Sequence, residues 1–313
     1  MVSKVLVTRE LPPQAQAKLD SLDIELVQWR DDSVIPRPIL LDQVRGVDAV
    51  ICLLSEEINA EFLDSAGPQL KVVATMSVGY DHVDLDALRS RQVKLGHTPD
   101  VLTDATADLT VMLTLAAARR MKEWKIWRPI WLCGFQFTGK TLGVIGLGRI
   151  GEAVAHRLKA FGISRVLYSG RTEKTEAQEK LNAEFVPFDT LLAESDYVIV
   201  CCALTAETKH MLDYDAFKKM KSTAVFVNTA RGDIVKQDDL IRALEENVIA
   251  AAGLDVTTPE PLPTDNKLFE LPNCVVLPHI ASATYDTREL MADMCIENIL
   301  AGLDNKPLPY EVK

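Results

Sequence analysis

The sequence predicts an α/β protein of two doubly wound (Rossmann-like/flavodoxin-like) domains, each a parallel sheet wrapped by helices, with a cleft between them. Three observations carry that expectation. Short apolar runs alternate with helical patterns along most of the chain, and this alternation builds mostly parallel sheets covered on both faces. A long alanine-rich helical stretch at 103–120 interrupts the alternation, which restarts at Gly139. The restart runs KTLGVIGLGRIGEAVAHRLKAFGISRVLYSGR (140–171), in the order strand, glycine turn, helix, strand. At 313 residues the chain is long enough for two domains with separate cores.

Taken in order, the first half predicts strands at 5–8, 24–29, 49–53, 71–74 and 94–95. Helices are expected from about 13 and at 39–44, 59–66 and 84–90. The helix at 103–120 starts after HTPD, where a proline stop and acidic residues mark an N-terminus. The following MKEWKIWRPIWLCGFQF carries Trp124, Trp127 and Trp131, a density that points to packing or a subunit interface. Further strands are expected at 197–201, 224–228, 250–254 and 274–277, and a helix at 285–302 crosses back to the first domain. The charged segment 173–180 reads as a solvated helix face. The expected domains are 1–98 plus 286–313, and 99–285 with an arm at about 121–138.

Composition narrows the function. An apolar share of 48% with 25% charged residues is that of a soluble globular chain. A formal net charge of -11 disfavours nucleic acid and anionic membrane as partners, though a local arginine can still bind a small anion. No apolar run is long enough to span a bilayer, and MVSKVLVTRE reads as a strand, so the cytoplasm is the expected compartment. The six cysteines lack CxxC spacing, so neither a metal site nor a disulfide is expected; Cys201 and Cys202 read as small buried hydrophobes.

The chemistry begins at the glycine turn. Gly146 permits the tight turn, Gly148 lets backbone approach a pyrophosphate, and Gly151 lets helix and strand pack closely. NH groups at the helix start then face the phosphates. Ligands of open α/β sheets lie beyond the carboxyl ends of strands, and three such ends deliver Arg231, Glu260 and His279. A guanidinium can bind a carboxylate and polarise the adjacent ketone, and an imidazolium can protonate the alkoxide formed as hydride arrives. A neighbouring carboxylate favours the protonated imidazole. Gly79, in SVGYDH between a strand end and a helix, can present bare NH groups to an anion.

The set VIGLGRIG, NTARGDIV, GLDVTTPEP and LPHIASAT resembles the D-2-hydroxyacid dehydrogenase family. TMSVGYDHVDL, TPDVLTDATAD and WRPIWLCG look like its glyoxylate reductase/hydroxypyruvate reductase branch. The resemblance spans nearly the whole chain. It implies a substrate domain built from both termini, a central cofactor domain and a homodimer joined through the cofactor domains. It also implies that Arg231 binds substrate, His279 donates the proton and Glu260 supports His279. Asp255 would lie near the nicotinamide amide or the substrate, and the backbone of Val78 and Gly79 would hold the substrate carboxylate, with Ser282 among the substrate contacts. Arg149, Ile150, Thr172, Ala203, Thr229, Asp255 and Ala281 would join the glycines around the cofactor.

An NAD site usually places an acid about twenty residues past the glycine turn. Here that place reads YSGRTEK, with Ser169 for the acid and Arg171 nearby, a pair suited to a 2′-phosphate; NADPH is therefore expected over NADH. The chain also departs from the family pattern. Between Arg120 and Gly139 it is about two helical turns short, Ala281 replaces a glycine, and Asp108 replaces a more usual Glu. The activity expected is reduction of glyoxylate or hydroxypyruvate. The alternatives are a nucleotide-sensing scaffold like the C-terminal-binding-protein corepressors, and a D-3-phosphoglycerate dehydrogenase, which would need a further phosphate-binding cation in the first domain.

Overall fold

The computed structural model describes residues 2–31, 33–123 and 132–313. It divides into two compact units, Met1–Leu102 with Ser282–Lys313, and Thr103–Ala281. Trp124, Trp127, Trp131 and the centre of the expected arm lie outside the described residues.

The first unit runs β1 (Ser3–Val7), α1 (Pro13–Asp20), β2 (Ile24–Gln28), α2 (Arg37–Gln43), β3 (Ala49–Cys52), α3 (Ala60–Ala66), β4 (Val72–Thr75), α4 (Leu85–Ser90) and β5 (Lys94–Gly96). All pairings are parallel, in the order β2-β1-β3-β4-β5, which is a doubly wound sheet. Every residue of β3 and β4 is buried, as expected of a parallel strand covered on both faces. Asn59 and Asp84 cap α3 and α4 by accepting the NH groups of Phe62 and Ala87, so both helices begin where an Asx side chain can satisfy an orphan donor.

The second unit opens with α5 (Thr103–Ala118), which ends two residues earlier than its alanine-rich pattern implies and passes into a 3₁₀ turn at Met121–Glu123. Then follow β6 (Thr141–Ile145), α6 (Arg149–Ala160), β7 (Arg165–Ser169), α7 (Thr175–Leu181), β8 (Ala183–Phe185), α8 (Phe188–Glu194) and β9 (Tyr197–Val200). The unit closes with α9 (Tyr214–Lys219), β10 (Val225–Asn228), α10 (Gln237–Glu245), β11 (Ala251–Leu254), α11 (Lys267–Glu270) and β12 (Cys274–Val276). The parallel sheet runs β12-β11-β10-β9-β6-β7-β8, so strand order reverses between β6 and β9. That reversal is where open α/β sheets hold ligands, and the glycine turn stands at it. In α6, Val154, Ala155 and Leu158 face the core, while Arg157 donates to Asp104 (2.7 Å) and Asp108 (2.6 Å) of α5. The shorter acid at position 108 therefore still ties these two helices together.

The last helix, α12 (Tyr285–Leu303), is capped by the Thr284 hydroxyl and packs on α1, β3, β4 and β5, which returns the C-terminal segment to the first unit. Among the described residues no helix is long and apolar enough to cross a membrane.

Candidate active site

The glycine turn is built as its spacing requires. Gly146 has φ +94°, a left-handed conformation that costs a side-chain-bearing residue about 1–2 kcal/mol. A Cβ there would also come within 2.8 Å of the Cys202 backbone, and its NH donates to the Ser169 carbonyl at 2.8 Å. Gly148 caps α6 with open space above it, while a Cβ on Gly151 would meet the Gly146 carbonyl at 2.4 Å. The start of a twelve-residue helix is thus left bare, as a pyrophosphate requires. Arg149 is exposed and Ile150 half-buried on the first turn of that helix. Burial pushes the Cys201 thiol up to about 12 and the Cys202 thiol up to about 11, so neither is a thiolate near neutrality.

At the end of β7, Ser169 is half-buried, and Gly170, Arg171 and Thr172 are exposed with no carboxylate at the strand end. Glu207, in the loop after β9, is held below the usual carboxylate range by the Thr205 hydroxyl and, more weakly, by Arg171. Ala203 in the same loop is exposed, and its carbonyl accepts from Thr208 Oγ1 at 2.7 Å. Thr229, after β10, is buried and shares a 2.8 Å hydroxyl contact with Thr110, pinning the strand end to α5.

Three loops at adjacent strand ends form a connected assembly. After β10, the buried Asn228 accepts from the NH of Ala230 (3.0 Å) and donates to the carbonyl of Arg231 (2.8 Å), which fixes the backbone that carries the Arg231 guanidinium. Gly232 allows this loop to close on its neighbour, since a Cβ there would lie 2.0 Å from the Thr257 carbonyl. After β11, the NH of Thr257 donates to Glu260 Oε1 (2.9 Å), and Glu260 Oε2 meets His279 Nδ1 at 2.8 Å. A carboxylate on Nδ1 fixes the ring and leaves Nε2 as the atom that can exchange a proton with a substrate.

His279 itself has φ +56°, and its NH donates to the Asp255 carbonyl at 2.8 Å. This reversal turns the next two NH groups onto the Asp255 side chain: Ile280 N donates to Oδ1 and Ala281 N to Oδ2, both at 2.8 Å. Asp255 is 0% exposed. Burial pushes its carboxyl above the usual range, while the two NH groups pull it back. Both oxygens of Asp255 thus brace the His279 turn. Ala281 is buried in this brace.

Val78, Gly79 and Ser282 belong to the first unit and are half-buried. Ser282 precedes the Thr284 cap, and its carbonyl accepts the Thr284 NH at 2.9 Å. Sequence reasoning missed Asn228 and Thr257, which position Arg231 and Glu260. The polar residue closing the apolar run VFVN was the available signal for Asn228.

A dinucleotide turn at a sheet switch point, with an arginine and a carboxylate-bound histidine at neighbouring strand ends, defines a nucleotide-dependent oxidoreductase. Residues 109–281 match the D-isomer specific 2-hydroxyacid dehydrogenase, NAD binding domain. The chain is 49% identical to the glyoxylate reductase/hydroxypyruvate reductase of Homo sapiens, over 99% of this chain and 98% of that protein. A solved structure from Thermus thermophilus superposes with a TM-score of 0.91 at 44% identity, covering 99% of this chain and 100% of that one. The NADPH-dependent glyoxylate/hydroxypyruvate reductase of Sinorhizobium meliloti, solved with NADP and malonate, superposes with a TM-score of 0.83 at 29% identity, covering 100% and 97%. The chain belongs to the D-2-hydroxyacid dehydrogenase family and, within it, to the glyoxylate reductase/hydroxypyruvate reductase branch.

Proposed function

We propose that this chain reduces small 2-oxo acids with NADPH, taking glyoxylate to glycolate and hydroxypyruvate to D-glycerate, and that it runs in reverse as a D-2-hydroxyacid dehydrogenase. The observation that carries the reading is the His279–Glu260 pair, braced by Asp255, on the loops adjoining Arg231. The names of its relatives support the same substrates.

Hydride comes from the reduced nicotinamide when the cofactor is bound, and the protein supplies the rest. The bare start of α6 and Gly148 hold the pyrophosphate. Arg231 binds the substrate carboxylate and polarises the neighbouring carbonyl. His279 gives its Nε2 proton to the carbonyl oxygen as charge develops there, and Glu260 holds the imidazolium in place before transfer. The NH groups of Val78 and Gly79 are a further pair of donors for a carboxylate. Chiral chromatography of the hydroxypyruvate product is expected to show D-glycerate alone; L-glycerate would contradict the placement.

Cofactor preference rests on Ser169 and Arg171 at the end of β7, where a carboxylate would repel a 2′-phosphate. Replacing Arg171 by Ala is expected to raise KM for NADPH by about tenfold, from loss of one charge-assisted contact, with KM for NADH little changed. Equal specificity constants for the two cofactors in the wild-type protein would overturn the preference. A D-3-phosphoglycerate dehydrogenase reading is disfavoured by the branch to which the chain belongs, and 3-phosphohydroxypyruvate is expected to be a poor substrate.

A further inference from the structure

We infer that His97 and Thr98, the residues that follow β5, clamp the turn after β4 so that the NH groups of Val78 and Gly79 face one anion, with His97 as the positioning residue. The inference rests on the reading above that this turn binds the substrate carboxylate.

Thr98 N donates to the Ser77 carbonyl at 2.9 Å, and His97 Nδ1 lies 3.1 Å from the Val78 carbonyl. A carbonyl only accepts, so His97 carries a proton on Nδ1. Each peptide unit is planar and trans, which points its NH opposite to its carbonyl. The Ser77 carbonyl shares a peptide with the Val78 NH, and the Val78 carbonyl shares one with the Gly79 NH. Both carbonyls are turned toward residues 97 and 98; both NH groups are therefore turned away from them, to a common side. Successive carbonyls of a regular strand alternate in direction. This pair breaks the alternation and forms the concave double donor that suits an anion.

The surroundings lock that arrangement. Ser77 Oγ donates to the Gly79 carbonyl at 2.6 Å, and buried Thr75 Oγ1 stands 2.9 Å from Ser77 Oγ and 3.0 Å from His82 Nε2. His97 N donates to the Tyr310 carbonyl at 3.0 Å. The His97 carbonyl accepts from Asn298 Nδ2 at 3.3 Å, and Asn298 Oδ1 accepts from Tyr310 N at 3.1 Å. The Tyr80 ring meets the imidazole edge-on, with centroids 5.8 Å apart. A C-terminal segment and a buried α12 side chain thus hold the histidine whose proton orients the anion turn.

The test uses oxamate, an unreactive amide analogue of a small 2-oxo acid, as the probe. His97→Phe keeps a ring against Tyr80 and loses the donor, whereas His97→Asn keeps a donor near the place of Nδ1. In the NADPH-saturated protein, His97→Phe is expected to weaken oxamate binding by about tenfold and to raise KM for glyoxylate similarly, from loss of one orienting hydrogen bond. The fall in kcat is expected to be smaller than the rise in KM, and His97→Asn should stay within about threefold of wild type. Unchanged oxamate affinity in His97→Phe, or equal weakening in His97→Asn, would overturn the clamp. A second measurement needs no variant that could misfold: among the 15 glycine amides of ¹⁵N-glycine-labelled wild-type protein, oxamate should shift that of Gly79, and an unmoved signal would overturn the inference. Oxamate binding that depends on His97, in a protein that reduces no 2-oxo acid, would sink the reductase reading and leave the clamp standing.

Discussion

Replacing His279 by Ala is expected to lower kcat/KM for glyoxylate by about 10²–10⁴-fold, the range of a positioned general acid. The ring is held in a single orientation, because Glu260 takes Nδ1 at 2.8 Å and is itself fixed by the Thr257 NH. Cofactor affinity should be preserved, because the glycine turn proposed to hold the nucleotide stands on separate strand ends. Steady-state rates combined with a fluorescence titration of NADPH separate the two. Wild-type turnover in a variant that still binds NADPH would remove His279 from the role of proton donor.

Asp255→Asn is the second large effect. The two carboxylate oxygens each accept one backbone NH, and an amide offers only one oxygen in the same space. One NH, of Ile280 or Ala281, then faces another donor in a fully buried place. The expected cost is about 1–3 kcal/mol of stability, read from denaturant unfolding. Since the same loop carries His279 in its left-handed conformation, kcat should also fall, by up to about 10²-fold, through misplacement of the ring. Unaltered stability together with unaltered kcat would show that Asp255 does not brace the turn.

How much of this could be read from the chain depended on how local each feature is. Strands buried on both faces, such as β3, β4 and β10, announce themselves as continuous apolar runs and start and stop within a residue or so of the expected places. The glycine turn is legible because turn, helix start and close packing act within six consecutive residues, and the distances at Gly146 and Gly151 follow directly. The strand β8 was not legible: three residues, two of them exposed, carry no periodicity. Helices α8 to α11 are short, and their existence follows from the strands they connect more than from their own patterns.

In the site, residue types at strand ends singled out Arg231, Glu260 and His279 as candidates, but not the geometry that joins them. The His279–Glu260 bond joins positions 19 apart in the chain, and the Asp255 brace depends on a left-handed residue that nothing in LPHIAS announces. An acid at a strand end can face a ligand or its own neighbouring loop with equal economy of sequence; burial decides, and burial belongs to the fold. The same limit hid Asn228 and His97, whose roles come from carbonyl groups that no side-chain pattern reveals.

The most direct test is the initial rate of NADPH oxidation by the purified protein with glyoxylate, hydroxypyruvate, pyruvate and 3-phosphohydroxypyruvate, each repeated with NADH. Rapid oxidation with glyoxylate or hydroxypyruvate, faster with NADPH than with NADH and slow with the phosphorylated acid, is the expected result. Tight nucleotide binding with negligible oxidation on every acid would contradict the account.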